Sequence, residues 1–202
     1  MIYIVGLGPG NKDYILKKAE DILKGSDLII GFDRAIDSLD FINNKKIKIN
    51  KLKEIIEIAE NYDDKSNLAI VASGDPMFYG ISNYINNNCT KEIKVIPGIS
   101  SFQYLMCNIN KSWNNAHTGS LHGREEDFIN NVKQNEVSIW LCDNKNTPSL
   151  LCEKLVNNNI NCLVTVGENL SYEDERIVAN YPEVLKDMEF NNLSIIVIER
   201  KL

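Results

Sequence analysis

The sequence lacks the residues that usually build metal centres and disulfide frameworks. Its 202 residues include only two histidines and five cysteines, and no two cysteines form a C-x-x-C pair. An odd cysteine count without such pairs argues against a zinc site and against a disulfide framework. Because Cys107, Cys142 and Cys162 stand among apolar residues, we expect them to be small core residues. We therefore expect no metal ion held by the chain.

Long apolar runs and an excess of positive charge are also missing. No stretch approaches the roughly 18 apolar residues that a membrane helix needs, and Met1 leads into strand-like residues without a basic patch or a cleavage site. The formal net charge is −6, whereas nucleic-acid-binding proteins are usually basic. We expect a cytoplasmic protein that binds neither membranes nor nucleic acid. An anionic substrate would need a local basic patch.

Short apolar runs alternate with amphipathic stretches in the first half of the chain. The predicted strands lie at 1–6, 28–31, 46–49, 68–72 and 93–96. The predicted helices lie at 11–24, 32–43, 51–62, 77–88 and 99–109. Strands that alternate with helices favour βαβ units and a mainly parallel sheet.

The second half has strands at a higher density, which predicts a mixed sheet. The predicted strands lie at 118–121, 137–142, 162–166, 175–179 and 193–198. The predicted helices lie at 125–134, 148–157 and 182–188. The polar stretch at 110–116 interrupts the alternation, so we expect two α/β domains, at 1–112 and 113–202.

Three of the apolar runs in the first half end in bends rich in glycine and proline. The bends are Gly6-Leu-Gly-Pro-Gly10, Ser73-Gly-Asp-Pro76 and Pro97-Gly-Ile-Ser-Ser101. Ligands of open α/β sheets bind at the carboxyl ends of strands, so we expect the three bends to build one pocket. Asp75 by itself also has a structural interpretation, because Asp is a preferred helix cap and Pro suits the first helical position.

The first bend invites comparison with the dinucleotide fingerprint G-x-G-x-x-G, but its spacing fails. The last position of the fingerprint is occupied by Asn11. Pro9 would also remove a backbone N–H from the loop that cradles a pyrophosphate. A nicotinamide enzyme is therefore disfavoured.

The segment Leu121-His-Gly-Arg124 joins a candidate general base to a candidate anion-binding residue. A lone histidine is more often structural than catalytic. Arg34, Arg124 and Arg176 all lie beside predicted turns, where they could form a basic patch, although a surface arginine is commonly only a solvated charge. We interpret the acidic run at 173–175 as a solvated loop.

Five segments together resemble a known family. They are VGLGPG (5–10), ASGDPMFYG (72–80), VIPGISSFQ (95–103), SLHGR (120–124) and VGENLSYEDERIV (166–178). In this combination the chain closely resembles the tetrapyrrole methylases. The second, fourth and fifth segments resemble the branch that methylates carbon 5 of a precorrin or cobalt-precorrin in anaerobic-type cobalamin synthesis.

The resemblance implies a homodimer of two-domain chains, with S-adenosylmethionine in the cleft between the domains. The implied cofactor-binding residues are Pro9, Ser73, Gly74, Asp75, Phe78, Ser100 and Ser101, together with Leu141 and Leu170, where the family varies. The implied substrate-binding residues are Gly8, Lys12, Arg34 and Arg124. His122 is the candidate for moving a proton after methyl transfer. Fused relatives carry a further domain that methylates carbon 15 and removes an acetate carboxyl, so we expect that activity in a separate partner protein.

Three alternatives stay open at the level of sequence. One is a sibling methylase that acts on another ring carbon or on a different kind of target. The second is a non-catalytic protein that binds a corrinoid for a partner enzyme. The third is the disfavoured nicotinamide oxidoreductase.

Overall fold

A computed structural model describes residues 1–201, whose strands form two separate five-stranded sheets. The first sheet belongs to a unit that runs from Met1 to Ser101, and the second to a unit that begins at Phe102. This division falls at the start of the helix Ser101–Asn108, ahead of the polar stretch at 110–116. The domain boundary after residue 112 stays a prediction.

The first unit is a parallel α/β sheet. Its strands are β1 (Ile2–Gly6), β2 (Leu28–Gly31), β3 (Lys46–Lys48), β4 (Leu68–Ala72) and β5 (Ile93–Ile96). Its helices are α1 (Lys17–Lys24), α2 (Asp33–Asp37), α3 (Leu52–Asn61) and α4 (Ser82–Asn88). The strand order is β3-β2-β4-β1-β5, and every pairing is parallel, which confirms the predicted sheet.

Each face of this sheet carries its own apolar core. Leu23 of α1 and Ile36 of α2 pack on one face of the sheet. Ile55 of α3 and Ile85 of α4 pack on the other face. Because both faces are covered, β4 is buried along its whole length, as its continuous apolar run predicts.

Three of the helices predicted in the first unit are shorter than their sequence patterns indicate. The stretch 11–24 splits into a 3₁₀ turn, Lys12–Tyr14, and α1, because Ile15 and Leu16 adopt extended backbone angles. The helix predicted at 77–88 begins only at Ser82. Similarly, α2 occupies only part of the predicted 32–43.

The second unit contains a mixed sheet, as the sequence predicts. Its strands are β6 (His117–Ser120), β7 (Val137–Leu141), β8 (Cys162–Glu168), β9 (Arg176–Asn180) and β10 (Ser194–Arg200). Its helices are α5 (Ser101–Asn108), α6 (Phe128–Gln134), α7 (Pro148–Asn157) and α8 (Pro182–Leu185). The order is β6-β7-β10-β8-β9; β6 and β7 are parallel, and the remaining pairings are antiparallel.

The core of the second unit is centred on Trp140, which is fully buried. The ring of Phe128 from α6 packs against its indole edge-to-face, with the ring centroids 5.1 Å apart. Cys142, Cys152 and Cys162 are all buried in this core, which confirms the prediction for Cys142 and Cys162. The prediction for Cys107 is wrong, because this residue lies on the exposed side of α5.

Within the described residues, no helix combines the length and the apolarity that crossing a bilayer would require.

Candidate functional site

The three glycine-bearing bends meet at the carboxyl edge of the first sheet. They follow β4, β1 and β5, which are neighbours in the strand order. The first two bends are joined as an antiparallel bridge: Gly8 N donates to Gly74 O at 3.3 Å, and Gly74 N donates to Gly8 O at 2.7 Å. The sequence prediction that the bends converge is therefore matched by the geometry of this unit.

The third bend approaches the other two closely enough to require glycine. A Cβ atom on Gly6 would lie 2.6 Å from Gly98 N and 2.8 Å from Gly74 O. A Cβ atom on Gly98 would overlap the same carbonyl oxygen of Gly74. The backbones of all three bends thus touch without intervening side chains, an approach that only glycine allows.

Asp75 shapes the second bend through its side chain. Its Oδ1 accepts a hydrogen bond from Met77 N at 2.7 Å, which is the geometry of an Asx turn. The chain then turns tightly through Tyr79, whose φ is +51°, before α4 begins. The expectation that Asp75 caps a helix starting at Met77 is therefore wrong, because the intervening residues form this turn.

The other predicted cofactor residues of the first unit lie on the same bends. Ser73 is exposed, Phe78 and Ser101 are half-buried, and Pro9 and Ser100 are buried. Of the predicted substrate residues, Gly8 is part of the bridge to Gly74, whereas Lys12 lies exposed in the 3₁₀ turn that follows.

A cavity of about 460 Å³ lies beside these bends, over the carboxyl ends of β2, β3 and β4. Its lining includes Phe32, Arg34, Asn50, Ser73 and Ile81, and Asp33 adds a negative charge. None of the ion pairs within residues 1–201 involves Arg34. The cavity therefore combines apolar walls with an arginine that forms no ion pair within the described residues.

The first bend does not suit a dinucleotide. The N–H of Gly8 is already used in the bridge to Gly74, and the bend leads into a 3₁₀ turn rather than into the start of an α-helix. A pyrophosphate site needs free N–H groups at a helix N-terminus. The structure thus adds a geometric reason to the failed spacing of the motif.

His122 lies in the second unit, on the turn that follows β6. Its side chain is exposed, and Nδ1 lies 3.1 Å from the carbonyl oxygen of Cys142. A carbonyl oxygen only accepts hydrogen bonds, so in the neutral imidazole Nδ1 carries the proton and the lone pair resides on Nε2. Arg124, two residues further on, is exposed.

The two predicted leucines differ in their surroundings. Leu141 is half-buried at the end of β7, where its carbonyl oxygen accepts a hydrogen bond from Leu121 N at 2.9 Å. Leu170 is buried, and its side chain packs over Gly167.

The sequence interpretation missed Asp143, which braces the His122 turn. This residue is 9% exposed, and its Oδ2 accepts a hydrogen bond from Gly123 N at 2.9 Å. Bonds from backbone N–H groups, first that of Gly123 and then those of Asn146 and Lys145, lower the pKa of the Asp143 carboxyl to about 2. Its position in the loop that follows a buried strand, like that of Asp75, was the available signal.

The GENLSYEDER segment proves to be internally braced. Glu168 is 2% exposed and forms an ion pair with Arg176. Arg176 also donates to Glu189 O at 2.6 Å, so it serves the fold of this segment rather than a basic patch. The acidic run is only partly a solvated loop, since Glu175 accepts a hydrogen bond from Ser171 N at 2.6 Å.

Among the described residues, no cluster of three or more His, Cys, Asp or Glu side chains could hold a metal ion.

The sequence and the fold define a class of protein. The family of tetrapyrrole (corrin/porphyrin) methylases matches residues 1–184, and the chain belongs to this family.

The chain is similar to one named relative and to two proteins of known structure. A protein of Methanocaldococcus jannaschii named "Probable cobalt-precorrin-7 C(5)-methyltransferase" is 36% identical over 98% of both chains. The crystal structure of the precorrin-6Y methylase from Archaeoglobus fulgidus matches with a TM-score of 0.78 and 23% identity, over 100% of this chain and 99% of that one. The uroporphyrin-III C-methyltransferase of Thermus thermophilus, solved with S-adenosylhomocysteine, matches with a TM-score of 0.75 and 17% identity, over 98% and 91% of the two chains.

Proposed function

We propose that this protein is an S-adenosylmethionine-dependent methyltransferase that acts on carbon 5 of a precorrin or cobalt-precorrin, as in anaerobic-type cobalamin synthesis. The observation that carries the proposal is the meeting of three glycine-bearing bends at one sheet edge. The choice of carbon 5 is supported by the relative that is 36% identical over 98% of the chain.

The residues at the sheet edge suit the methyl donor. Gly6 and Gly98 keep side chains away from the point where the bends touch, and Ser73 presents an exposed hydroxyl beside the half-buried carboxylate of Asp75. Hydroxyl and carboxylate oxygens can bond the ribose hydroxyls and the amino group of such a ligand. The proposed cofactor set is Pro9, Ser73, Gly74, Asp75, Phe78, Ser100 and Ser101, with Leu141 and Leu170 added from the resemblance alone.

Methyl transfer requires mainly that the protein position the methyl donor and the substrate. When bound, S-adenosylmethionine supplies a methyl group that its sulfonium already activates, so no strong protein nucleophile is required. The chain's task is to orient two ligands and exclude water. His122 is the proposed acceptor of the proton that the methylated macrocycle loses, because its exposed Nε2 carries a lone pair.

The proposed substrate contacts are cationic side chains and the first bend. A corrinoid precursor carries many carboxylates, and the guanidinium of Arg34 lines the cavity beside the bends. Such a group can hold a carboxylate through two parallel hydrogen bonds. Lys12, Arg124 and Gly8 complete the set on the basis of the resemblance.

The proposal includes a cytoplasmic homodimer and a separate decarboxylating C15-methyltransferase as its partner in the pathway. Both rest on the resemblance. Light scattering coupled to size-exclusion chromatography measures the mass of the assembly and so tests the homodimer. A monomeric mass at micromolar concentration would contradict it.

The test of the function is methyl transfer from ¹³C-methyl-labelled S-adenosylmethionine. Cobalt-free and cobalt-loaded precursors are assayed side by side, and the product is examined by mass spectrometry and NMR. We expect one new labelled methyl at carbon 5. A methyl on another carbon would favour a sibling methylase, and corrinoid binding without transfer would favour a binding protein; either result rejects the proposal.

A further inference from the structure

The turn that carries His122 is tied to the loop that follows β7. Strands β6 and β7 are parallel neighbours, so both segments leave the sheet at the same edge. His122 Nδ1 meets the carbonyl oxygen of Cys142 at 3.1 Å, and the next residue, Gly123, donates its N–H to Asp143 Oδ2 at 2.9 Å. Two consecutive residues of one segment therefore bond two consecutive residues of the other.

Asp143 is equipped to hold this arrangement as a charged group. Besides Gly123, it accepts hydrogen bonds at Oδ1 from Lys145 N at 2.9 Å and from Asn146 N at 2.7 Å. A buried carboxylate is costly unless hydrogen bonds satisfy it, and here backbone donors approach both oxygens. Every one of these partners is a donor, and an ionised carboxylate only accepts, so this geometry favours the ionised form.

A further bond closes the link. Leu121 is the residue before His122, and its carbonyl oxygen accepts a hydrogen bond from Asn146 Nδ2 at 3.3 Å. The orientation of Asn146 depends in turn on Asp143, because Oδ1 of Asp143 accepts from its backbone. The turn is thus fixed on both sides of His122, and the imidazole is directed at the Cys142 carbonyl.

We infer that Asp143 is a positioning residue, which holds the His122 turn so that Nδ1 keeps its proton and Nε2 is presented as a proton acceptor. The inference rests on the proposed function for the role of His122 in methyl transfer. The tautomer, however, is a property of the free protein. It can therefore be tested whether or not methyl transfer is observed.

The decisive variant is Asp143→Asn, which keeps the shape of the side chain. The native carboxylate accepts hydrogen bonds at both oxygens, whereas an amide has one acceptor oxygen and one NH₂ donor. In Asp143→Asn, the NH₂ group would therefore face a backbone N–H on one side, and that hydrogen bond would be lost. The matched control is Asp127→Asn. Asp127 is a carboxylate of the same unit that accepts from Asn130 N at the start of α6, and it takes part in none of the bonds described above for the His122 turn.

The readout is the ¹⁵N spectrum of the imidazole rings, recorded about two pH units above the ordinary histidine pKa of about 6.5. The chain has two histidines, so His117 serves as an internal reference. We expect the Nδ1–H form at His122 in the wild type. We expect Asp143→Asn to shift the tautomer ratio about fivefold toward Nε2–H, the effect of losing one net hydrogen bond. Asp127→Asn should leave the ratio unchanged.

Activity provides the second readout. We expect Asp143→Asn to lower kcat about tenfold or more with little change in KM for the methyl donor, since a misplaced base affects the chemical step. An Nε2–H form in the wild type would overturn the inference even if the variant failed to fold. So would a wild-type tautomer ratio in folded Asp143→Asn. Absence of methyl transfer by the wild type would instead reject the proposed function.

Discussion

At the scale of single residues, Asp75 has two roles that substitution can separate. Its Oδ1 holds the turn through Met77 N, and its charge is the proposed contact to the methyl donor. Asp75→Asn keeps an acceptor for the turn and removes the charge, whereas Asp75→Ala removes both. We expect Asp75→Asn to keep wild-type stability and to weaken S-adenosylhomocysteine binding about tenfold in titration calorimetry.

A matched control for Asp75 exists in the same unit. Asp63 makes the same kind of turn, because its Oδ1 accepts a hydrogen bond from Lys65 N at 3.0 Å. It lies outside the three glycine-bearing bends. Asp63→Asn should bind the ligand like the wild type. Full affinity in folded Asp75→Asn would reduce Asp75 to a turn residue.

Arg34 is the residue on which substrate binding is expected to depend most. Arg34→Ala removes a cation from the cavity, so we expect corrinoid affinity to fall about tenfold through loss of a charge-assisted hydrogen bond. S-adenosylhomocysteine affinity should be unchanged, and Lys18→Ala, which removes an exposed cation of α1, should change neither. Corrinoid affinity is measured by fluorescence quenching. An unchanged corrinoid affinity, or an equal loss of affinity for both ligands, would contradict the role of Arg34 in substrate binding.

The lowered pKa of the Asp143 carboxyl also predicts how the free energy of unfolding depends on pH. Its folded-state pKa of about 2 lies below the ordinary 3.8, so its contribution is present above about pH 4 and is lost as the pH falls through about 2. The contribution is at most about 2 kcal/mol. Urea unfolding followed by tryptophan fluorescence from pH 7 to pH 2 should show a flatter acid limb for Asp143→Asn than for Asp127→Asn. Parallel acid limbs would refute the linkage.

At the scale of elements, the strands and capped helices are readable from sequence. Helix α7 has the predicted bounds because Thr147 caps it, with Thr147 Oγ1 accepting from Leu150 N at 3.3 Å, and Pro148 begins it. The strands predicted at 28–31, 68–72 and 93–96 are likewise confirmed. The helix predicted at 77–88 failed because a side-chain bond to Met77 N and the left-handed Tyr79 fold a turn there, and apolar spacing does not report such local bonds.

The position of each cysteine on or next to a helix or strand determines its expected reactivity. Cys107 lies on the outer side of α5, whereas burial raises the pKa of Cys152 to about 12 and of Cys162 to about 11, and also raises that of Cys142. Thiolates are the reactive form. We expect a thiol reagent near pH 8 to label Cys107 first, then Cys89, and the three buried thiols only after denaturation. Peptide mass spectrometry after timed labelling checks this order, and early labelling of Cys152 would contradict it.

At the scale of the whole molecule, the sequence predicts that the three bends share one pocket, but not which of their backbone atoms touch. That Gly6, Gly74 and Gly98 touch depends on the strand order β4-β1-β5, which one sequence does not encode locally. The same limit explains why Asp143 was missed: its partner Gly123 lies 20 residues away in the chain, on a neighbouring strand's turn. Glu168 and Arg176 became partners only through the pairing of β8 with β9.

The central claim is that the three bends bind the methyl donor, and amide chemical shifts measure this without any substitution. ¹⁵N-labelled protein is titrated with S-adenosylhomocysteine. We predict saturable shifts concentrated at the amides of 6–8, 10, 73–75, 77–78 and 98–101. Saturable shifts elsewhere with these amides unmoved, or no shifts at all at millimolar ligand, would contradict the account.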